Sequence, residues 1–165
     1  MLITAKPRRG HYVRTFTKRE IIDLLELREA LEALGARRAA RFITESQIKK
    51  LKEFFRDVDV EGDPNTLAAY AREDQTFHEY IMEIAGGEIF SCVFKANPIV
   101  IFTYHTDLPG GLVRHPRETI REHWDMIEAI CTRDEDKAAE LMSRHMRLGR
   151  KKFEKELAKE EQKKE

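Results

Sequence analysis

The sequence predicts an all-α fold: an antiparallel bundle of six helices preceded by a short β-hairpin. Three observations predict it. From Thr17 onward, apolar residues recur at intervals of three and four, the spacing of one helix face. Residues that cap, open or break helices (Thr17, Thr44, Pro64, the Gly86-Gly87 pair, Pro116) cut this pattern into segments joined by short connections. Only residues 1–16 show the alternation and turn chemistry of strands.

In "MLITAKPRRGHYVRTF", Ile3 and Ala5 alternate with polar neighbours, "PRRG" supplies a turn, and "HYVRTF" is rich in β-branched and aromatic residues. This reads as a hairpin with its tip at Arg8, Arg9 and Gly10. A lone hairpin is marginally stable, so it belongs to something larger or leans on the rest. The domain division is therefore 1–16, hairpin and linker, and 17–165, helical. Thr17 with Glu20 three residues on forms a capping-box signature, and Leu24, Leu27, Leu31 and Leu34 follow at helical spacing. Thr44 caps a second helix, "ESQIKKLKEFFRDV", and Pro64 opens a third that runs to Gly86-Gly87. The fourth segment, "EIFSCVFKANPIVIFTYH", is the most apolar. Periodicity alone leaves its "IVIF" run open between strand and helix. A helix kinked at Pro98 is the expectation, because a single strand would have no partner. A fifth helix spans about 116–131, and a sixth runs from Asp134 into the charged tail.

Composition narrows the function. The 165 residues suffice for one core, and 41% hydrophobic with 36% charged residues is a globular composition with a solvated surface. Lys+Arg and Asp+Glu both number 30, which argues against a strong nucleic-acid binder acting alone. Cys92 and Cys131 have no Cys-x-x-Cys spacing, and no signal peptide is recognisable, so a reducing cytoplasm is expected. The stretch "PIVIFTY" is too short to span a bilayer, and no membrane partner is expected. The apolar excess of the fourth segment suggests a surface for a second copy, hence a homodimer.

Four polar residues interrupt the apolar stripes. Asp74 and His78 lie one turn apart on the stripe Leu67, Ala71, Ile81, Ala85. His123 falls within Ile120, Ile127 and Ile130, and His145 within Ala138, Leu141, Met142 and Leu148. A buried carboxylate or imidazole needs a partner, because an unpaired one costs roughly several kcal/mol. One reading is a hydrogen-bonded Asp-His pair with two unrelated core histidines. The other is a ligand set for a divalent ion, zinc first, with nickel or manganese as alternatives. His11, His105 and His115 suit surface or capping positions, with His105 a candidate for a pocket rim. Arg28, between Leu24 and Leu31, either pairs at the surface with Glu32 or reaches inward to grip a carboxylate through two parallel hydrogen bonds.

The stretches "LLELREALEALGARRAARFITESQIKKL", "EDQTFHEYIMEIAG" and "EHWDMIEAICTRDEDKAAELMSRHM" resemble the FadR-type effector-binding (FCD) domain of GntR-family transcriptional regulators, over residues 18–148. The resemblance implies that Asp74, His78, His123 and His145 bind a divalent metal, and that Arg28 in "LREALE" binds an effector carboxylate. Six helices resemble the VanR-like branch. The opening hairpin resembles the end of the family's winged helix, where Arg8, Arg9 and Gly10 would approach the DNA minor groove. Operator DNA is thus a partner only within a complete winged-helix domain. Three departures accompany the likeness. The 165 residues do not include the helix-turn-helix expected ahead of the wing, and Glu88 replaces the asparagine of many members. Lys95, Asn97, Thr103 and Tyr104 occupy the stretch where some members carry a second ligand arginine.

The expected function is therefore a non-enzymatic ligand sensor. Metal and Arg28, counted as two positive charges, would hold a small carboxylate: a hydroxy or keto acid, or a short dicarboxylate. A metal-dependent hydrolase and a structural metal module remain alternatives. Hydrolysis needs a base near the metal-bound water, and Glu73 and Glu79 point off the stripe.

Overall fold

The computed structural model describes residues 3–6, 10–13, 16–59, 64–96 and 114–162. At the N-terminus, β1 (Ile3–Lys6) and β2 (Gly10–Val13) pair antiparallel, with Ile3 opposite Val13 and Lys6 opposite Gly10. Gly10 is thus the first residue of β2 rather than part of the tip, while Arg8 and Arg9 lie outside the described residues.

The helical region begins where its cap predicts. The Glu20 N–H donates to Thr17 Oγ1 at 3.2 Å and the Thr17 N–H to Glu20 Oε2 at 2.9 Å, closing a capping box on α1 (Lys18–Phe42). Thr44 and Gln47 repeat the device on α2 (Glu45–Leu51). This helix is shorter than its apolar pattern suggests. Residues 52–57 leave it as turns, and Phe55 adopts φ 60°. Phe55 is fully buried, and its N–H donates to Glu73 Oε1 at 2.7 Å; these contacts hold a backbone conformation that a bulky residue rarely adopts.

Next comes α3 (Pro64–Lys95), which contains a break at Gly86-Gly87. Gly87, at φ 58° and ψ −136°, occupies a region open in practice to glycine alone. The expected third and fourth helices thus run together as two arms of one segment. Among the described residues there are five helical segments, the third of them two helices meeting at the Gly86-Gly87 kink, completed by α4 (Pro116–Cys131) and α5 (Glu135–Gln162). The expected kink at Pro98 and the strand-or-helix question over "IVIF" fall outside the described residues.

Helix α1 packs along α5 and α3, and α4 packs against α5. The main core joins Ala36, Ala39 and Ala40 of α1 to Phe77 and Ile81 of α3, Met126 and Ile130 of α4, and Met142 of α5. The leucine stripe of α1 is only partly on its core face, where Leu24 and Leu31 pack against buried residues. Leu27 and Leu34 are 59% and 48% exposed, and the buried face is Ile21, Leu25, Arg28, Glu32, Gly35, Ala36, Ala39 and Ala40. Small residues there allow close approach: a Cβ on Gly35 would meet Met82 Sδ at 2.4 Å. Leu148, at the end of the α5 stripe, is likewise 37% exposed. Among the described residues no helix is long and apolar enough to cross a membrane.

Candidate metal centre

Asp74 and His78 on α3, His123 on α4 and His145 on α5 are all buried, and the structure brings them together. One ligand atom from each lies within 4.8 Å of all the others. The imidazole rings cluster, with centroids 5.8 Å apart for His78–His123, 5.5 Å for His78–His145 and 4.8 Å for His123–His145. This is the geometry of a shared centre, not of a hydrogen-bonded pair with two distant histidines.

Each ring is fixed through its Nδ1. His78 Nδ1 donates to Glu32 Oε2, and His145 Nδ1 donates to Glu122 Oε2 at 2.7 Å. His123 Nδ1 lies 3.0 Å from the Tyr70 hydroxyl, which is 2.7 Å from Thr119 Oγ1. Thr119 in turn donates to the Pro116 carbonyl at 3.4 Å. That direction lets Thr119 accept from Tyr70 and Tyr70 accept from His123. The proton then sits on Nδ1, and Nε2 keeps its lone pair.

The Nε2 atoms of His78 and His123 are buried and make no hydrogen bond. Asp74 Oδ1 comes within 3.2 Å of His123 Nε2, but this is proximity rather than an ion pair, because burial holds the His123 pKa well below its ordinary value. Burial also lowers the His145 pKa, against the opposing pull of Glu122. Two buried imidazole Nε2 atoms without a hydrogen bond, beside a third imidazole and a carboxylate, are a donor set that fits a divalent cation.

Sequence reading missed the groups behind the ligands. Burial alone would raise the Glu32 pKa, but the charges of Arg28 and His78 and their hydrogen bonds hold it at about 2. Burial works the same way on Glu122, and hydrogen bonds from His145 and Arg114 bring it to about 2. Burial and the Asp74 charge push the Tyr70 phenol far up, so it stays protonated. Only the i,i+4 relation of Arg28 to Glu32 signalled any of this in the sequence. That pair exists, but buried rather than at the surface. The Arg28 charge is matched by Glu32, so it does not supply the second net positive charge expected of it.

Aromatic rings wall the centre. Phe55 stacks on His123 with centroids 4.5 Å apart and planes 9° apart, and Phe77 packs at 5.2 Å from the same ring. The unusual φ of Phe55 thus serves a ring that covers one imidazole face. His115 is exposed and caps α4, accepting from the Arg117 N–H at 3.3 Å, as its position before Pro116 suggests. His11 lies in β2, and His105 is outside the described residues.

A helical bundle enclosing three histidines and one aspartate defines the class of protein: a domain with a buried centre suited to a metal. Residues 23–148 match the model of the FCD domain, and the chain belongs to that family. Its relatives are helix-turn-helix transcriptional regulators. The repressor RspR of Escherichia coli is 28% identical over 149 residues, covering 88% of this chain and 63% of RspR. The repressor NanR of Salmonella newport is 29% identical over 122 residues, covering 73% of this chain and 46% of NanR. The chain therefore spans less than two thirds of the length of these relatives. Among solved structures, a GntR protein of Streptococcus agalactiae covers 91% of this chain and 74% of its own, with TM-score 0.62 and 21% identity. A GntR-family regulator from Pseudomonas syringae covers 99% and 68%, with TM-score 0.68 and 14% identity. At those identities the structural likeness is one of fold.

Proposed function

We propose that this chain is the ligand-sensing part of a cytoplasmic transcriptional regulator, holding a divalent metal at Asp74, His78, His123 and His145 and a small carboxylate beside it. The observation that carries the reading is the set of imidazoles with occupied Nδ1 atoms and, on His78 and His123, buried Nε2 atoms without a hydrogen bond. Bound there, a metal would supply a Lewis-acidic centre for an oxygen ligand. Zinc suits the donor set best, with nickel or manganese as alternatives.

Charge balance sharpens the ligand class. Arg28 offsets Glu32 and Arg114 offsets Glu122, so a divalent ion with Asp74 leaves a net charge of about plus one. That favours a monocarboxylate with a neighbouring hydroxyl or keto oxygen over a dicarboxylate. Arg28 is its proposed second partner, sharing the guanidinium with Glu32. Calorimetry tests this: a hydroxy acid such as lactate should bind the metal-loaded protein and lose binding after chelation. Equal affinity in both forms would refute the ligand site.

The engagement of the nearby carboxylates favours sensing over hydrolysis. Glu32 and Glu122 are engaged by histidine Nδ1 atoms and arginines, Glu73 by the Phe55 N–H, and Glu79 by Gln75 and Lys95. Ile89 and Val93, 75% and 53% exposed on the second arm of α3, support a homodimer. The hairpin is proposed as the wing of a winged-helix domain, division 1–16 and 17–165, with Arg8, Arg9 and Gly10 toward operator DNA in the complete protein.

A further inference from the structure

The polar centre is built as two matched relays and one different arm. On α1, Glu32 accepts from His78 Nδ1 with one oxygen and from Arg28 Nε with the other. On α4, Glu122 accepts from His145 Nδ1 at 2.7 Å, and Arg114 grips the same carboxylate through Nη1 at 2.7 Å and Nη2 at 3.0 Å. The third imidazole has only the neutral Tyr70 hydroxyl.

The two relays are assembled from unrelated local sequence. Arg28 is one helical turn before Glu32, whereas Arg114 lies ahead of α4 and reaches Glu122 eight residues on. Arginine, carboxylate and imidazole nonetheless meet in the same order at both places. Burying such charges is costly, and apolar packing joins helices at least as well. A reason beyond helix packing is the orientation of the rings, since a carboxylate on one nitrogen fixes the tautomer and aim of the other.

We propose that Glu32 and Glu122 are positioning residues for the metal centre, each fixing one imidazole so that its Nε2 faces Asp74, with Arg28 and Arg114 holding the two carboxylates in place. The proposal rests on the metal reading above. A purely structural role, tying α1 to α3 and α4 to α5, would lower the stability of the metal-free protein and leave metal affinity unchanged.

The test uses zinc affinity by competition with a chromophoric chelator, the visible spectrum of the cobalt(II)-loaded protein, and the melting temperature of the metal-free form. Glu122→Gln and Glu32→Gln should each weaken zinc binding roughly tenfold to a hundredfold and alter the cobalt bands. Glu29→Gln removes a paired carboxylate on α1 that bonds Ser143 and Arg147 rather than a histidine, and should change neither. Glu122 is the less buried of the two, so its variant decides the matter if Glu32→Gln fails to fold. Wild-type zinc affinity and an unchanged cobalt spectrum in Glu122→Gln would overturn the proposal while leaving the metal site standing. A wild-type protein that takes up no zinc would overturn both.

Discussion

Helices α1 and α4 both reach the polar centre, yet they bury opposite kinds of surface. Helix α4 buries Ile120, Met126, Ile127 and Ile130 around His123, a stripe visible at a glance. Helix α1 buries Ile21 and Leu25 in its first turns, but from Arg28 to Ala40 it buries an arginine, a glutamate, a glycine and three alanines, and leaves Leu27 and Leu34 in solvent. A helix packed through large side chains announces its core face by hydropathy. A helix packed through small residues and an ion pair does not. The face that α1 hides in this way is also the one that holds His78.

The contrast predicts a ranking of substitutions. The largest effect belongs to Glu32→Ala, which removes the carboxylate that faces the buried Arg28 charge and the His78 Nδ1–H. It should cost about 3–5 kcal/mol in metal-free protein by urea denaturation. A cost below about 1 kcal/mol would mean that α1 is not held by this pair. On α4, Ile130→Ala should cost about 2–4 kcal/mol by the same measurement, the range for opening a cavity at a fully buried isoleucine. Leu27→Ala should change stability by no more than about 0.5 kcal/mol, because the side chain is already exposed. A large loss there would restore the leucine stripe as a packed surface.

Acidity separates the buried histidines from the carboxylates behind them. His123 and His145 have lowered pKa values in the fold, so the unfolded chain takes up their protons first. Stability of the metal-free protein should therefore fall as pH drops below the unfolded histidine value of about 6.5. Glu32 and Glu122, at about 2, contribute stability that is fully present above the unfolded carboxylate range near 4.3 and lost as pH falls toward 2. Metal-free denaturation curves from pH 8 to 3 should show two stages of loss. A single stage confined to the carboxylate range would remove the buried neutral histidines from the account.

The same physics explains what the sequence disclosed. Caps at Thr17 and Thr44 and the break at Gly86-Gly87 were legible, because each rests on local hydrogen bonding or backbone freedom. Asp74, His78, His123 and His145 were legible because each interrupts an apolar stripe. Glu32, Tyr70, Glu122 and Arg114 were not, because charged and amphipathic residues on a charged chain carry no mark of burial. The short α2 was misread because Phe54 and Phe55 continue a helical pattern. Only their tertiary contacts, the Phe55 N–H to Glu73 and the Phe55 ring to His123, show that the chain has turned.

The most direct measurement of the central claim is metal stoichiometry with thermal unfolding, for wild type and His123→Ala, before and after chelation. Wild type should carry about one divalent ion per chain and melt several degrees lower once it is removed, as expected for a ligand that binds only the folded state. His123→Ala should bind far less metal and melt at nearly the same temperature with and without chelator. Wild-type protein that binds no ion after zinc loading, or whose melting is unchanged when the ion is verifiably gone, would contradict the account.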